Sequence, residues 1–231
     1  MKNVAVLLAG GVGNRSQSAV PKQFVKINNK PLITYSLQAF QQHTEIDEIL
    51  IVLPHEYVSI YTQYFDLNSY SKVVAVIAGG KERYESSWAA ICYYKSQQVN
   101  LILHDVARPL VSQTVISKVI AALRNYQAVC TILPVVDTIV ELENNTSIRH
   151  YPSRKDCFMV QTPQAFSINL LQSAYKQLFQ TSDINVTDDC SVVHRFFPNE
   201  IISFVEGEKQ NFKVTFPEDF ALVEYFLHLS Y

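Results

Sequence analysis

Apolar residues fall in short, nearly unbroken runs: NVAVLL (3–8), ILIVL (49–53), VVAVI (73–77), LILH (101–104) and VCTIL (129–133). Successive rather than alternate positions are apolar, as in strands of a sheet covered on both faces. Between these runs the pattern changes period. PLITYSLQAFQQH (31–43), YESSWAAICYYKSQ (84–97) and SQTVISKVIAALRNY (112–126) have helical spacing, and Pro31 suits a first helical turn. Alternating strands and helices predict an α/β fold, a doubly wound and mostly parallel sheet with right-handed crossovers.

From about Asp137 to Phe166 the period changes again. Two β-like runs flank a polar turn at Asn144 and Asn145. Such a hairpin buries little by itself, so 137–166 is expected to project as an arm onto a second copy of the chain, giving a homodimer. IISFV (201–205) then returns to the core as a strand, and PEDFALVEYFLHL (217–229) closes the chain as a helix. Residues 1–231 are read as one domain with that arm, without internal repeat or low-complexity linker.

Composition narrows the function. A chain of 231 residues, 48% hydrophobic, can bury a substantial core. Its formal charge of −2 gives no basic footprint for nucleic acid, so any phosphate site must be a local cluster. No run reaches the roughly 20 apolar residues that span a bilayer. The opening MKNVAVLLAGGVGNR ends in glycines and Arg15 rather than a small-residue cleavage site. It reads as a first strand, and the protein as cytoplasmic. Cys92, Cys130, Cys157 and Cys190 form no CxxC pair, which argues for free buried thiols rather than zinc. The sequons at Asn144 and Asn185 are short enough to arise by chance.

The chemistry concentrates in LLAGGVGNRSQSAVPKQF (7–24). A P-loop would continue Gly-Lys-Ser/Thr, and a dinucleotide fingerprint would carry a third glycine where Ser16 stands. Neither fits. What remains is Ala9, Gly10, Gly11 and Gly13 at the end of a strand, followed by Arg15 and Lys22. Glycines let backbone N–H groups close on an anion, and open α/β sheets bind ligands beyond the carboxyl ends of their strands. Arg15 offers a fork for phosphate oxygens and Lys22 a mobile point charge. On spacing alone, an ordinary βα turn with two solvated cations is the alternative.

Further motifs weigh against that alternative. The loop resembles that of pyrophosphorylase-like nucleotidyltransferases. PKQF, GGKERYESS, HDVARP, DTI, QTPQAF, VTDD and NFKVTFPEDF follow in an order similar to one branch: the cytidylyltransferases that use 2-C-methyl-D-erythritol 4-phosphate or ribitol 5-phosphate. The resemblance spans almost the whole chain and implies a Rossmann-like nucleotidyltransferase fold.

It also implies roles. Ala9, Gly10, Gly11 and Gly13 would receive CTP, while Gly80 and Ser86 would contact its cytosine, with Lys81 standing where a small or acidic residue is usual. Asp105 would hold polyol hydroxyls and Arg108 would lie near the acceptor phosphate. Thr138 and Arg154 on the arm would grip that phosphate from the neighbouring subunit, and Thr187 would meet the acceptor. Lys213 would sit beside the reacting phosphates. Read locally instead, Thr187 caps a helix whose first turn holds Asp188 and Asp189. His104-Asp105 read blind could be a metal pair or half of a dyad, but no nucleophile elbow accompanies it. His104 and His194 are read as structural, and Trp88 as core or interface.

The reaction expected is nucleotidyl transfer, an acceptor phosphate oxygen attacking the α-phosphorus of CTP while pyrophosphate leaves. A phosphate monoester is already a dianion near neutrality, its second pKa being about 6, so no general base is required. Arg15, Lys22 and Lys213, with Mg²⁺ carried mainly on the CTP phosphates, would stabilise the charge. Ala9-Gly10-Gly11, and Val140-Glu141 after DTI, resemble the ribitol type, whereas HDVARP and VTDD resemble the erythritol type. Ribitol 5-phosphate, for a cell-surface polymer, is the acceptor expected. The isoprenoid precursor is the alternative, and a CTP-binding protein without catalysis or a sugar-1-phosphate nucleotidyltransferase are the rivals.

Overall fold

The computed structural model describes residues 1–10, 20–182 and 184–229. In chain order the strands and helices are β1 (Lys2–Leu8), β2 (Lys26–Ile27), β3 (Lys30–Pro31), α1 (Leu32–Gln42), β4 (Glu48–Leu53), β5 (Val73–Ala78) and α2 (Arg83–Tyr94). There follow β6 (Val99–Asp105), α3 (Gln113–Leu123), β7 (Ala128–Pro134), β8 (Glu141–Glu143), β9 (Ser147–His150), β10 (Phe158–Ser167), α4 (Ile168–Leu178), α5 (Asp189–Phe196), β11 (Ile202–Glu206) and α6 (Asp219–Leu229).

Among the described residues a seven-stranded sheet has the order β11-β7-β10-β6-β1-β4-β5. β10 runs antiparallel to both neighbours, and the other pairings are parallel. Strand alternation sorts the core into two layers. Val4, Val6 and Leu8 face α2, α4 and α5, whose Ile91, Leu171, Tyr175 and Val193 are buried with them. Ala5 and Leu7 face the opposite way, onto Leu37 and Phe40 of α1 and Val115 and Val119 of α3. Both faces being covered is why the strand runs are apolar throughout.

Most element boundaries shift from the sequence reading by one to three residues, and two differences change the picture. Pro31 precedes α1 as its N-cap rather than standing inside it. More consequentially, the segment 137–166 divides. Its first part holds the two-stranded hairpin β8–β9, which turns at Asn144 and Asn145, both at positive φ. Thr146 N donates to Glu143 O at 3.0 Å, closing a turn whose two central residues are left-handed, the geometry that suits the twist of a hairpin. Its last part is β10, a ten-residue strand inside the main sheet. Leu142, Ile148 and Tyr151 remain exposed around the hairpin.

No cysteine forms a disulfide; Cys130 and Cys190 are buried, Cys92 and Cys157 only partly. Trp88 packs against the core with its ring parallel to that of Tyr175. No helix among the described residues is long and apolar enough to cross a membrane.

Candidate active site

Parallel strands deliver their carboxyl ends to one edge of the sheet. There Ala9 N donates to Val52 O, Gly79 N to Leu53 O and Val106 N to Leu8 O. Three segments therefore meet: Ala9-Gly10 after β1, Gly79-Gly80 after β5, and Asp105 ending β6. Ser86, buried in α2, lies between the first two. A Cβ on Gly10 would stand 2.5 Å from the Ser86 Oγ, and one on Gly79 would meet the same atom. Gly80 serves the helix instead. It leaves room for Glu85, whose Oε2 accepts from Glu82 N at 2.9 Å while the Glu82 side chain accepts from the Glu85 backbone.

The turn after β6 is held by His104. This fully buried ring lies 2.9 Å from Arg108 O through Nε2 and 3.2 Å from Thr162 Oγ1 through Nδ1. Thr162 Oγ1 in turn accepts from Asp105 N at 3.0 Å. Burial pushes the imidazole pKa down to about 4, so the ring is neutral at pH 7 and can both donate and accept. The turn thus presents the Asp105 carboxylate and the Arg108 side chain to the cleft.

Each Asp105 oxygen has its own cation. Oδ1 accepts from Arg83 Nε at 2.9 Å and Oδ2 from Lys213 Nζ at 2.7 Å. Burial alone would raise this carboxyl pKa. The charges of Arg83 and Lys213, the Lys213 hydrogen bond and the charge of Arg108 outweigh it and hold the group well below the usual carboxylate range. Arg83 extends the network: Nη1 donates to Asp189 Oδ2 at 2.8 Å, and Tyr175 Oη donates to Asp189 Oδ1 at 2.5 Å. Arg108 is held by carbonyls, Nη1 to Asn211 O at 2.9 Å and Nη2 to Val160 O at 3.2 Å.

Lys22 Nζ donates to Val214 O at 3.2 Å, the carbonyl of the residue after Lys213, so the two lysines share one corner. One cavity is lined by Ala9, Gly10, Lys22, Ser86, Asp105 and Lys213, among others. An adjoining one contains Asp105, Arg108, Thr187 and Lys213, with Arg83 common to both. The structure thus gathers the expected Ala9, Gly10, Lys22, Ser86, Asp105, Arg108, Thr187 and Lys213 at one edge. Gly80 stands outside both linings. Thr138 and Arg154 are exposed near the hairpin, where Arg154 Nη1 donates to Val136 O at 3.0 Å. Gly11, Gly13 and Arg15 lie outside the described residues.

Thr187 is not the helix cap. Asp188 is: its Oδ1 accepts from Ser191 N at 2.7 Å, and the Ser191 Oγ accepts from Asp188 N. Thr187 stands one residue ahead, in the cavity lining. Sequence reading gave no site role to Arg83 or to the polar stretch Gln161, Thr162 and Gln164, though they stand in the quoted motifs, and took Asp189 only as a first-turn carboxylate. The signal lay in that stretch, three polar side chains in a row of otherwise apolar strand positions. All three are buried, and Gln164 Nε2 donates to Asp188 Oδ2 at 2.7 Å. No group of three or more His, Cys, Asp or Glu among the described residues suits a metal ion. Both Asp105 oxygens are already bonded to cations.

A sheet edge that gathers glycine turns, lysines, an arginine and an ionised carboxylate suits a nucleotide triphosphate and a second phosphate. Comparison with known proteins agrees. The family model for IspD, 2-C-methyl-D-erythritol 4-phosphate cytidylyltransferase, matches residues 3–229. A bifunctional ribulose 5-phosphate reductase/CDP-ribitol pyrophosphorylase from Haemophilus influenzae is 41% identical over 96% of this chain, which spans 48% of that longer protein. A 2-C-methyl-D-erythritol 4-phosphate cytidylyltransferase from Lachnospira eligens is 36% identical over 97% of this chain and 99% of its own length. The crystal structure of 4-diphosphocytidyl-2C-methyl-D-erythritol synthase from Anaerococcus prevotii superposes with a TM-score of 0.86 at 26% identity, covering 98% of this chain and 96% of that one. The chain belongs to the IspD family and is a CTP-dependent cytidylyltransferase.

Proposed function

We propose that the chain transfers CMP from CTP to ribitol 5-phosphate, forming CDP-ribitol for a cell-surface polymer and releasing pyrophosphate in the cytoplasm. The observation that carries the acceptor is the 41% identity to a relative named as a CDP-ribitol pyrophosphorylase. Ala9-Gly10-Gly11 and Val140-Glu141 support the same reading. Methylerythritol 4-phosphate is the second reading, favoured by the family model and by the Lachnospira eligens relative.

In the reaction an acceptor phosphate oxygen forms a bond to the α-phosphorus of CTP as the bond to the β-phosphate oxygen breaks. The acceptor dianion needs no proton removed, which suits a cleft whose Asp105 carboxylate is already paired with cations. Lys22 and Lys213 draw the two anions together and offset charge on the leaving pyrophosphate. Arg15 and the glycine amides are assigned to the same phosphates. Asp105 takes acceptor hydroxyls, Arg108 lies toward the acceptor phosphate and Thr187 contacts the acceptor. Gly80 and Ser86 meet the cytosine. Mg²⁺ enters as the counter-ion of the triphosphate, as part of the substrate. Thr138 and Arg154, on either side of the β8–β9 hairpin, reach the site of a neighbouring subunit.

Pyrophosphate release from CTP and Mg²⁺ with each acceptor separately tests the reading. Turnover with ribitol 5-phosphate and not methylerythritol 4-phosphate is expected. The reverse preference establishes the second reading in its place.

A further inference from the structure

We propose that Arg83 is a positioning residue: it locks the Asp105 carboxylate and ties it to the start of α5. The inference rests on Asp105 being the acceptor contact. Arg83 is the first residue of α2, where a positive charge opposes the helix dipole. Local helix preference therefore gives no reason for an arginine there. The partners do. Its fork spans two carboxylates from separate parts of the chain, Asp105 through Nε and Asp189 through Nη1. Asp189 has no solvent exposure and is held from its other oxygen by Tyr175.

This arrangement settles a conflict in the cleft. Lys213 is the other cation on Asp105, and the same ammonium is assigned to the reacting phosphates. Its side chain is 42% exposed, against 24% for Arg83. If Lys213 were the sole partner, its turning toward phosphate would leave a buried carboxylate without a counter-charge, free to rotate or to take a proton. Arg83 keeps Asp105 ionised and oriented while Lys213 moves.

The test is steady-state kinetics of Arg83→Gln, Asp105→Asn and the double variant, with CTP and the polyol phosphate that supports pyrophosphate release. Arg83→Gln should raise the acceptor KM on the order of tenfold and leave the CTP KM within about twofold. In the Asp105→Asn background the Arg83 effect should largely vanish, since a residue acting through another is not additive with it. A full multiplicative effect in the double variant, or a parallel rise in the CTP KM, overturns the proposal. So does an unchanged acceptor KM in Arg83→Gln while Asp105→Asn raises it. If Asp105→Asn itself leaves the acceptor KM unchanged, the acceptor assignment fails and the inference with it. Where Arg83→Gln does not fold, Asp189→Asn replaces it, leaving Tyr175 an acceptor but removing one charge of the clamp. A rise of about threefold in acceptor KM is then expected, and no rise overturns the clamp.

Discussion

His104 has no solvent exposure and stays neutral because burial lowers its pKa from 6.5 to about 4. In the unfolded chain it takes a proton as pH falls through 6.5, whereas the folded ring does not until about 4. The folded state therefore loses stability across that window, by roughly 3 kcal/mol in total, and holds it in full above the window. Urea unfolding of the wild type between pH 7 and 4.5 should show the decline, and His104→Gln should flatten it. Parallel curves for the two proteins would remove His104 as the cause. Asp105 has the opposite charge but the same sign of effect at lower pH: its depressed pKa contributes stability above the ordinary carboxylate value, lost as acid approaches the folded one. For the lysines the expectation is kinetic. Lys22→Ala and Lys213→Ala should each lower kcat by about 10²-fold or more, read by single-turnover pyrophosphate release. A near-wild-type kcat in either would take that residue out of the reaction.

The start of α5 separates two roles that are adjacent in sequence. Asp188→Ala removes the cap and should cost about 1 kcal/mol of stability, plus the bond from Gln164. Thr187→Ala should leave the melting temperature nearly unchanged while raising the acceptor KM. Equal losses of stability in both variants would return the cap to Thr187. The sequence conveys such elements unevenly. β1 is legible because both its faces are buried, so every position from Val4 to Leu8 is apolar. β10 is equally central yet illegible, because Pro163 argues against a strand interior and Gln161, Thr162 and Gln164 interrupt the apolar run. The structure accommodates them through long-range partners. Register shifts between Gln161 and Ala165, and the Pro163 carbonyl accepts from Thr131 Oγ1 at 2.6 Å. Asn211 Nδ2 donates to Thr162 O at 2.8 Å. Partners so distant in sequence leave no local pattern. The same holds for the site: Asp105 and Lys213 were legible as motif residues, but the arginine joining Asp105 to Asp189 is a relation across 106 positions.

At the scale of the molecule, the proposed homodimer rests on the hairpin. Leu142 and Ile148 are 53% and 52% exposed on a two-stranded element outside the main sheet, and such a hairpin is marginal alone. Light scattering at micromolar concentration should give about twice the 26.3 kDa chain mass, and Leu142→Asp with Ile148→Asp should give the single mass. Arg154→Ala should keep the dimer while raising the acceptor KM. A monomeric wild type would remove the arm's proposed role.

The reversed strand also sets an order of events during synthesis. β1, β4, β5 and β6 are neighbours in the sheet and are all made by residue 105. β7 follows them on the ribosome but takes its place only once β10 has been made and slots between it and β6. A nascent chain can thus assemble β1, β4, β5 and β6 before β10 joins the sheet. A polypeptide cut short ahead of Phe158 would carry β6 with one bare edge and β7 with two, the kind of template that recruits other chains.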